Sequence, residues 1–291
     1  MDKCLEIIGL TKKFKNFSLQ DVTFSLTRGY IMGFIGPNGA GKSTTIKLIM
    51  NLLRKDTGTI KVFGLDHIAD EKKVKERIGF VYDENHFYEE LTLEEMKRIL
   101  APFYQGWEET TYRQYLKLFG LPAGRKIKDL SKGMKMKYSL ALALSHRADL
   151  IIMDEPTAGL DPIVRSELLD ILYRFIQDEN KAVLFSTHLT SDLDKVADYI
   201  TFINEGQIVF SLPKEDVLTD YAIVKGDTAL GAAVREKSVG IRENRFGFEA
   251  LVRNAAGLRR AYGDKLVYAK PTLEEIMLYT VRRDDHVNLD L

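Results

Sequence analysis

Cysteine is almost absent from this chain of 291 residues, which contains Cys4 alone. One cysteine cannot form a disulfide within the chain, so we expect no need for an oxidising compartment, and the cytosol fits. Long apolar runs are missing too, since stretches such as Ile31–Ile35 and Leu150–Met153 fall far short of the ~20 residues that span a bilayer. The first ten residues carry Asp2 and Glu6 and lack the apolar stretch of a signal peptide. Work at a membrane therefore requires a separate membrane partner.

A surplus of charge of either sign is also missing. The 42 lysines and arginines balance 42 aspartates and glutamates, so the net charge is zero and we expect no nucleic-acid partner. With 45% apolar and 29% charged residues, the composition excludes disordered and fibrous chains and predicts one large globular domain or two smaller ones. The sequence shows no internal repeat, no low-complexity tract and no metal-type cluster of cysteine and histidine.

A glycine-rich stretch, GPNGAGKST, lies between the buried-strand pattern YIMGFI and the helical pattern TIKLIMNLLRK. It fits the Walker A spacing G-x-x-x-x-G-K-[ST] in its required context of strand, turn and helix, which disfavours the alternative of a merely flexible turn. Glycines let backbone N–H groups converge on a phosphate, the lysine neutralises phosphate oxygens, and the serine hydroxyl can ligate Mg²⁺. The predicted nucleotide-binding residues here are Gly36, Pro37, Asn38, Gly39, Ala40, Gly41, Lys42, Ser43 and Thr44.

A pair of carboxylates follows a second apolar run, LIIMDE at residues 150–155. Asp154 is placed to hold Mg²⁺, and Glu155 to orient and polarise an attacking water molecule. Because adjacent strand residues point to opposite sides, we expect the two carboxylates not to compete for one task. The alternative is an acidic pair that only ends a strand and starts a turn.

P-loops serve kinases, GTPases, motors and transporters, so the choice among them needs further segments. LSKGMKMKYSLALAL begins at Leu130, PTAGLDP follows Glu155, and His188 ends the strand pattern AVLFST. Together with the glycine-rich stretch and the carboxylate pair, these segments follow the order of motifs in the ATP-binding-cassette (ABC) ATPases. The chain resembles that family over about residues 3–213. The resemblance implies an α/β P-loop NTPase fold that binds ATP and Mg²⁺. It also implies a nucleotide-binding domain at residues 1–213, with an N-terminal antiparallel β-subdomain and an inserted helical subdomain at about 83–146.

The resemblance also implies roles for five residues outside the phosphate motifs. Ser131 and Gly133 reach the γ-phosphate held by an opposite subunit, so that two identical or related cassettes form a head-to-tail dimer around two ATP molecules. Asp161 communicates across that dimer, His188 contacts the γ-phosphate, and Phe14 stacks on adenine. Without the family, Ser131 and Asp161 are sufficiently explained as helix N-caps, and Phe14 could equally be a core residue. ATP rather than GTP is implied by the family and supported by the lack of an N-K-x-D motif.

Two residues depart from the family pattern. Asp83, in RIGFVYDEN, stands where glutamine is usual, and an acid there can still ligate Mg²⁺ although it is shorter and charged. The segment LSKG, at residues 130–133, corresponds to the family's signature loop, in which Lys132 replaces a glycine. Lys132 brings a cation toward the phosphate held by the opposite subunit. Hydrolysis is expected, with Lys42, Glu155 and His188 as catalytic residues and Ser43, Asp154 and Asp83 as metal ligands.

Between the two phosphate motifs the pattern becomes helical, at Thr92–Tyr104 and Tyr112–Phe119. Parallel strands are predicted at about 31–35, 78–82, 150–153 and 182–187, with a hairpin at 199–210. Some aromatic side chains of the helical lobe must form its own core, and an exposed subset would make a groove for a cytoplasmic helix of a permease. The lobe's aromatic residues are Phe87, Tyr88, Phe103, Tyr104 and Trp107.

After about Leu212 the motifs stop, and residues 214–291 are expected to form a small α+β accessory domain. Its patterns include a hairpin at 241–254 and a last helix capped by Thr272, with Glu275 three positions later. The tail resembles the accessory domain of cassettes that energise drug, antibiotic and antimicrobial-peptide exporters. An appended packing or dimer-stabilising module is the alternative.

The sequence therefore leads to one hypothesis with two rivals. The hypothesis is an ATPase subunit of an ABC exporter, held at the cytoplasmic face of the membrane by a separate transmembrane permease that exports amphipathic peptides or drugs. One rival is a soluble cassette ATPase acting on DNA or ribosomes, whose usual coiled-coil insertion, zinc modules or tandem cassettes are not found in this sequence. The other is a catalytically idle regulatory cassette.

Overall fold

The structure, a computed structural model, describes residues 2–83, 86–282 and 284–285. The chain divides into two units, residues 1–211 and 212–291. Glu84 and Asn85, the last two residues of the segment RIGFVYDEN, lie outside the described residues.

Apolar runs of the first unit form two sheets. A four-stranded sheet has the order β2-β1-β4-β5 and is antiparallel, and a six-stranded sheet has the order β10-β9-β3-β8-β7-β6, in which β9 to β6 run parallel. The strands are β1 (Lys3–Lys13), β2 (Ser18–Thr27), β3 (Ile31–Ile35), β4 (Thr57–Val62), β5 (Leu65–Asp66), β6 (Ile78–Val81), β7 (Leu150–Asp154), β8 (Ala182–Thr187), β9 (Tyr199–Asn204) and β10 (Gln207–Pro213). The predicted parallel strands are confirmed to within one residue, because central strands of such a sheet are covered on both faces and are apolar throughout.

Seven α-helices accompany these strands in the described part of the first unit. They are α1 (Lys42–Ile49), α2 (Glu71–Glu76), α3 (Leu93–Leu100), α4 (Glu109–Leu118), α5 (Lys132–Leu144), α6 (Pro162–Phe175) and α7 (Thr190–Val196). The predicted helical lobe consists of α3, α4 and α5, and the buried hydroxyls of Tyr112 and Tyr138 both donate to the carbonyl of Leu93, at 3.2 and 2.8 Å. Pro102 follows α3 closely, and the chain continues there only as a 3₁₀ turn, Ala101–Phe103.

The helix after the glycine-rich loop is shorter than predicted. The pattern TIKLIMNLLRK predicts helix beyond residue 50, but α1 ends at Ile49 because Asn51 adopts a left-handed conformation with φ 54°. The N–H of Asn51 then donates to Leu48 at 3.1 Å and that of Leu52 to Lys47 at 2.8 Å, which is the Schellman arrangement that ends helices. Asparagine tolerates this conformation, so Asn51 was a signal that the sequence carried.

The second unit is an α+β sheet structure with its own apolar core. Its sheet has the order β14-β11-β13-β12-β15, and the core includes Val224, Val234 and Leu258. The elements are α8 (Lys214–Asp220), β11 (Tyr221–Gly226), α9 (Thr228–Arg235), β12 (Ser238–Asn244), β13 (Gly247–Arg253), α10 (Ala256–Tyr262), β14 (Val267–Ala269), α11 (Leu273–Val281) and β15 (Asp284–Asp285). The predicted hairpin is confirmed as β12 and β13, and Thr272 and Glu275 form the predicted capping box of α11.

No helix within the described ranges is both long enough and apolar enough to cross a bilayer.

Candidate active site

The glycine-rich loop connects β3 to α1 and leaves the first turn of that helix without a side-chain cap. Gly41, the residue before α1, has φ 113°, a conformation that side chains rarely allow. Gly36 is needed for close approach, because a Cβ there would lie 2.3 Å from the carbonyl oxygen of Ile203. The uncapped N–H groups at the start of α1 are therefore available to an anion such as phosphate.

The side chain of Lys42 folds back into this loop and is 5% exposed. Its Nζ donates to the carbonyl of Gly36 at 2.7 Å and to that of Pro37 at 3.3 Å, and it lies 3.1 Å from Oε1 of Glu155. A buried ammonium needs such partners. The ammonium of Lys42 is thus held at the glycine-rich loop, where an incoming phosphate can replace the carboxylate of Glu155 as its partner.

Glu155 is separated from Asp154 by a turn and not by the alternation of a strand. The strand β7 ends at Asp154, and Glu155 has a left-handed φ of 46°. Our expectation that the alternation of side chains along a strand separates the two carboxylates was therefore wrong, because Glu155 is not part of the strand. The N–H of Glu155 is bonded to both Oγ and O of Ser186, each at 3.1 Å, which stabilises this uncommon backbone conformation.

The two carboxylates nevertheless have different partners. Oε2 of Glu155 accepts from the backbone N–H of His188 at 3.2 Å and lies 2.7 Å from Nδ1 of its ring. The side chain of Glu155 therefore lies between the ammonium of Lys42 and the imidazole of His188. Such an arrangement can hold a carboxylate as a base and orient it toward water.

Asp154 is 3% exposed and accepts from Oγ of Ser186 at 2.6 Å. The parallel register of β7 and β8 places these two residues directly side by side. Burial raises the pKa of the Asp154 carboxyl, the hydrogen bonds from Ser186 and Ser43 oppose that rise, and the charges of Asp83 and Glu155 add to it. A buried carboxylate whose charged form is destabilised is a site that a cation would favour.

The donor set fits a magnesium ion that shares its ligands with a nucleotide. Among the described residues no group of three or more His, Cys, Asp or Glu side chains could hold a metal by itself. The hydroxyl of Ser43 is near enough to the carboxylate of Asp154 to oppose the rise in its pKa, and these two groups are the kind of small oxygen set that Mg²⁺ uses beside phosphate oxygens and water.

A cavity of about 600 Å³ opens over the glycine-rich loop. Its lining brings together the two ends of the predicted site, Asp83 after β6 and Glu155 after β7. The lining residues are Asn16, Phe17, Pro37, Asn38, Gly39, Gly41, Lys42, Ser43, Thr44, Asp83 and Glu155. Asn16, Phe17 and the supporting Ser186 were missed from the sequence, because they come from segments far from the loop in the chain.

Phe14 does not line this cavity. Its ring is 44% exposed, with the ring of Phe17 at a centroid distance of 6.3 Å and Nζ of Lys12 at 5.8 Å from its own centroid. The alternative of a core residue is therefore wrong, since a ring exposed to that extent is not part of the core. An exposed aromatic ring next to Phe17, which lines the cavity, is available for stacking.

The three remaining predicted residues lie on helix starts and do not line the cavity. Ser131 caps α5 by accepting from the N–H of Met134 at 3.2 Å, and Asp161 caps α6 through the N–H groups of Ile163 and Val164, each at 3.0 Å. A Cβ on Gly133 would lie 3.2 Å from Val164. The cavity of one chain is therefore lined by the glycine-rich loop and by the carboxylates Asp83 and Glu155, but not by Ser131, Gly133 or Asp161.

A second cavity, of about 340 Å³, lies beside the helical lobe. Phe87, Tyr104 and Trp107 line it, whereas Tyr88 and Phe103, which are 67% and 72% exposed, do not. The ring of Tyr104 stacks on that of His146 at 3.9 Å, and burial lowers the pKa of His146. The three lining aromatics are half-buried, whereas the exposed subset, for which a groove was predicted, lies outside this cavity, so a permease-binding groove here stays a prediction.

Comparisons with known proteins agree with this geometry. A protein-family model described as ABC transporter matches residues 19–158. The bacitracin transport ATP-binding protein BcrA of Bacillus licheniformis is 31% identical over 73% of this chain and 71% of its own length. The lantibiotic transport ATP-binding protein SrtF of Streptococcus pyogenes is 34% identical over 70% of this chain and 89% of its own. A solved structure of an ATP-binding subunit of an ABC transporter aligns with a TM-score of 0.68 and 30% identity, covering 74% of this chain and 92% of that one.

Proposed function

This chain belongs to the ABC transporter family and is an ATP-binding ATPase, and on that premise we propose that it drives an exporter. The exporter's permease is a separate transmembrane protein, this subunit works at the cytoplasmic face, and the cargo is an amphipathic antimicrobial peptide or drug. The relatives named for bacitracin and lantibiotic transport support the cargo class. The observation that carries the proposal is the series of contacts beside the glycine-rich loop, in which the carboxylate of Glu155 meets the ammonium of Lys42 on one side and the imidazole of His188 on the other.

In this proposal residues 1–213 are the nucleotide-binding domain. The backbone N–H groups of residues 36–44 bind the phosphates of ATP, and the ammonium of Lys42 neutralises the β and γ oxygens. Ser43 and Asp154 hold Mg²⁺, with Asp83 as a further oxygen ligand, and the ion neutralises charge on the phosphate oxygens. The exposed ring of Phe14 stacks on adenine.

Hydrolysis uses Glu155 as the general base. In this structure one oxygen of Glu155 is engaged by Lys42 and the other by His188. When the γ-phosphate takes the ammonium of Lys42, Oε1 of Glu155 is released to accept a proton from water. The backbone N–H of His188 donates to Oε2 and keeps it in place, and the imidazole of His188 donates a hydrogen bond toward the phosphate.

A second cassette completes the site. Ser131 and Gly133 serve the γ-phosphate of an opposite subunit, in a homodimer or a heterodimer, and Asp161 communicates across that dimer, which agrees with their position outside the cavity lining of their own chain. Ser131 is exposed at the start of α5, where its hydroxyl accepts from the N–H of Met134, and the partial positive charge of a helix start favours an anion. Lys132 adds a cation beside it.

Glu155→Gln tests the proposed base. The variant keeps the shape of the side chain, so we expect ATP affinity within a few-fold of the wild type and a loss of turnover of roughly 10²–10⁴, the usual contribution of a general base. Calorimetry gives the affinity and phosphate release gives the turnover. Turnover within a few-fold of the wild type would remove Glu155 from this role.

The second cavity, beside the helical lobe, is the groove in which a cytoplasmic helix of the permease docks. Leu52 lines it and is 46% exposed, so Leu52→Asp adds a charge to the groove without opening the core. We expect this variant to bind ATP normally and to lose co-purification with the permease. Leu118→Asp is the matched control, because Leu118 is 59% exposed on α4 and does not line the groove. Equal retention of the permease by both variants would contradict the assignment.

Residues 214–291 form the accessory domain of this proposal, as a packing or dimer-stabilising module. The rival function on DNA or ribosomes is not favoured by the neutral net charge.

A further inference from the structure

A buried carboxylate outside the proposed site has no evident task. Asp192, on α7, is 1% exposed, and its Oδ1 lies 3.8 Å from Nη1 of Arg165 on α6. Its other oxygen, Oδ2, and Nε of Arg165 are both buried without a hydrogen-bond partner among the described residues. Buried charged groups left unsatisfied are costly, so their presence calls for an explanation.

The positions of the two helices connect this pair to the proposed site. The loop that begins at Glu155 ends at Asp161, the cap of α6, and α7 begins two residues after His188. Glu155 and His188 contact each other at the near ends of these segments, at 2.7 Å. Arg165 lies one turn after Asp161, the cap of α6, and Asp192 lies one turn after His188, and these two residues contact each other as well.

The helix α7 is also seated firmly on the central sheet. Leu193, next to Asp192, fills the space over Gly33 of β3, where a Cβ would lie 2.5 Å from Cδ1 of Leu193. The backbone of α7 is thereby fixed relative to the strand that precedes the glycine-rich loop.

We propose that Arg165 and Asp192 are a positioning pair, which sets the separation of Glu155 from His188 during ATP hydrolysis. The proposal rests on the roles proposed above for these two residues. Nε of Arg165 and Oδ2 of Asp192 supply a second contact that a small approach of α6 to α7 would complete, giving a two-point ion pair. Neither residue lines the cavity, so both act through the loops that they anchor.

The alternative is that the pair only neutralises charge between two packed helices. Removing one partner of a buried ion pair is then harmful and removing both is tolerated, since no uncompensated charge remains. The double variant therefore separates the two explanations.

The experiment compares Asp192→Asn, Arg165→Met and the double variant in the full chain. We expect each single change to lower kcat at least tenfold while the ATP dissociation constant stays within threefold of the wild type. The double variant should recover the melting temperature of the wild type to within a few degrees without recovering kcat. A double variant with kcat within twofold of the wild type overturns the proposal, as does a loss confined to ATP affinity.

The matched control is the pair Arg77 and Asp149, whose Nε and Oδ2 lie 2.8 Å apart. These residues precede β6 and β7, at the ends opposite the carboxylates, so Arg77→Met with Asp149→Asn should keep kcat within twofold. A comparable loss in this control attributes the effect to general destabilisation and overturns the proposal. Glu155→Gln is measured in parallel: if it retains turnover, the proposed site fails, whereas if it alone loses turnover, only the positioning role fails.

Discussion

The two units of the chain differ in what they bury. Of the fifteen buried polar or charged residues in the described part of the chain, only Thr280 belongs to the second unit. The first unit buries Lys42, Asp154 and Asp192 near its carboxylate and glycine-rich motifs. The core of the second unit is built from apolar side chains.

This difference indicates which unit is shaped for chemistry. Burying a polar group costs free energy unless partners satisfy it, and a chain selected for stability alone would bury apolar groups instead. The first unit bears that cost at Lys42 and Asp154 of the candidate site, and also away from it, at residues such as Lys97 and His146. Substitutions of the buried polar residues of the candidate site should therefore change function more than stability, and substitutions in the second unit should do the opposite.

The largest effect on ATP binding is expected for Lys42→Ala. Hydrogen bonds to a charged group contribute about 1.5–3 kcal/mol, so losing the ammonium should weaken ATP binding by roughly tenfold to hundredfold. Calorimetry with ATP checks this, and Lys47→Ala, at a position in the last turn of α1, is the control. An unchanged affinity in Lys42→Ala would contradict the phosphate-binding role of the loop.

A smaller effect is expected for Asp154→Asn in the nucleotide-free protein. Because the pKa of Asp154 is raised in the folded state, its charged form destabilises the fold, and that penalty appears as pH rises through the shifted pKa. The variant should melt higher than the wild type at pH 7, by roughly 2–4 °C if the penalty is about 1 kcal/mol. The gap should close in acid, where Asp154 is protonated in the wild type.

Thermal melts from pH 7 downward, without nucleotide or Mg²⁺, measure this gap. A lower melting temperature for Asp154→Asn at pH 7, or a gap that does not change with pH, would show that the buried charge is not destabilising. With ATP and Mg²⁺ present, the wild type should gain more stability than the variant, because only the wild type keeps the charged ligand.

The smallest effect is expected in the second unit. Thr272→Ala removes the capping box of α11 and should lower the stability of that unit by about 1 kcal/mol. Hydrogen exchange of the amides in α11 measures the loss, and ATP affinity should not change. Thr219→Ala, in α8 and outside any cap, is the control and should stay within about 0.5 kcal/mol of the wild type. A change in ATP affinity in Thr272→Ala would show that the second unit takes part in nucleotide binding.

Much of the first unit could be predicted because its chemistry uses contiguous residues. The glycine-rich loop must follow a strand and open a helix, so its spacing indicates both its structure and its ligand. The strands β3, β7 and β8 are buried along their whole length, and apolar up to Asp154 in β7 and Ser186 in β8, because the sheet is covered on both faces. Caps such as Ser131 and Asp161 are equally local, and the structure confirms them.

What the sequence did not indicate depends on contacts between distant segments. Ser186 bonds to the carboxylate of Asp154 and to the backbone N–H of Glu155 only because β7 and β8 pair in register. Phe17 reaches the cavity only because β1 and β2 bring it there. The left-handed conformation of Glu155 has no local signal, since glutamate does not favour it. The pair of Arg165 and Asp192 likewise exists only through the packing of α6 on α7.

The central claim is that the cavity of one chain is completed by the signature loop of another, and a disulfide formed between chains tests it most directly. Asn38→Cys and Lys132→Cys place exposed thiols at the glycine-rich loop and beside Ser131, in the Glu155→Gln background. The native Cys4 will not compete, because it is buried and burial raises its pKa to about 12. The account predicts that mild oxidation yields a covalent dimer with ATP and Mg²⁺ present, and none without nucleotide or with either single cysteine. If the ATP-loaded protein yields no such dimer, alone or with its permease, the account is contradicted.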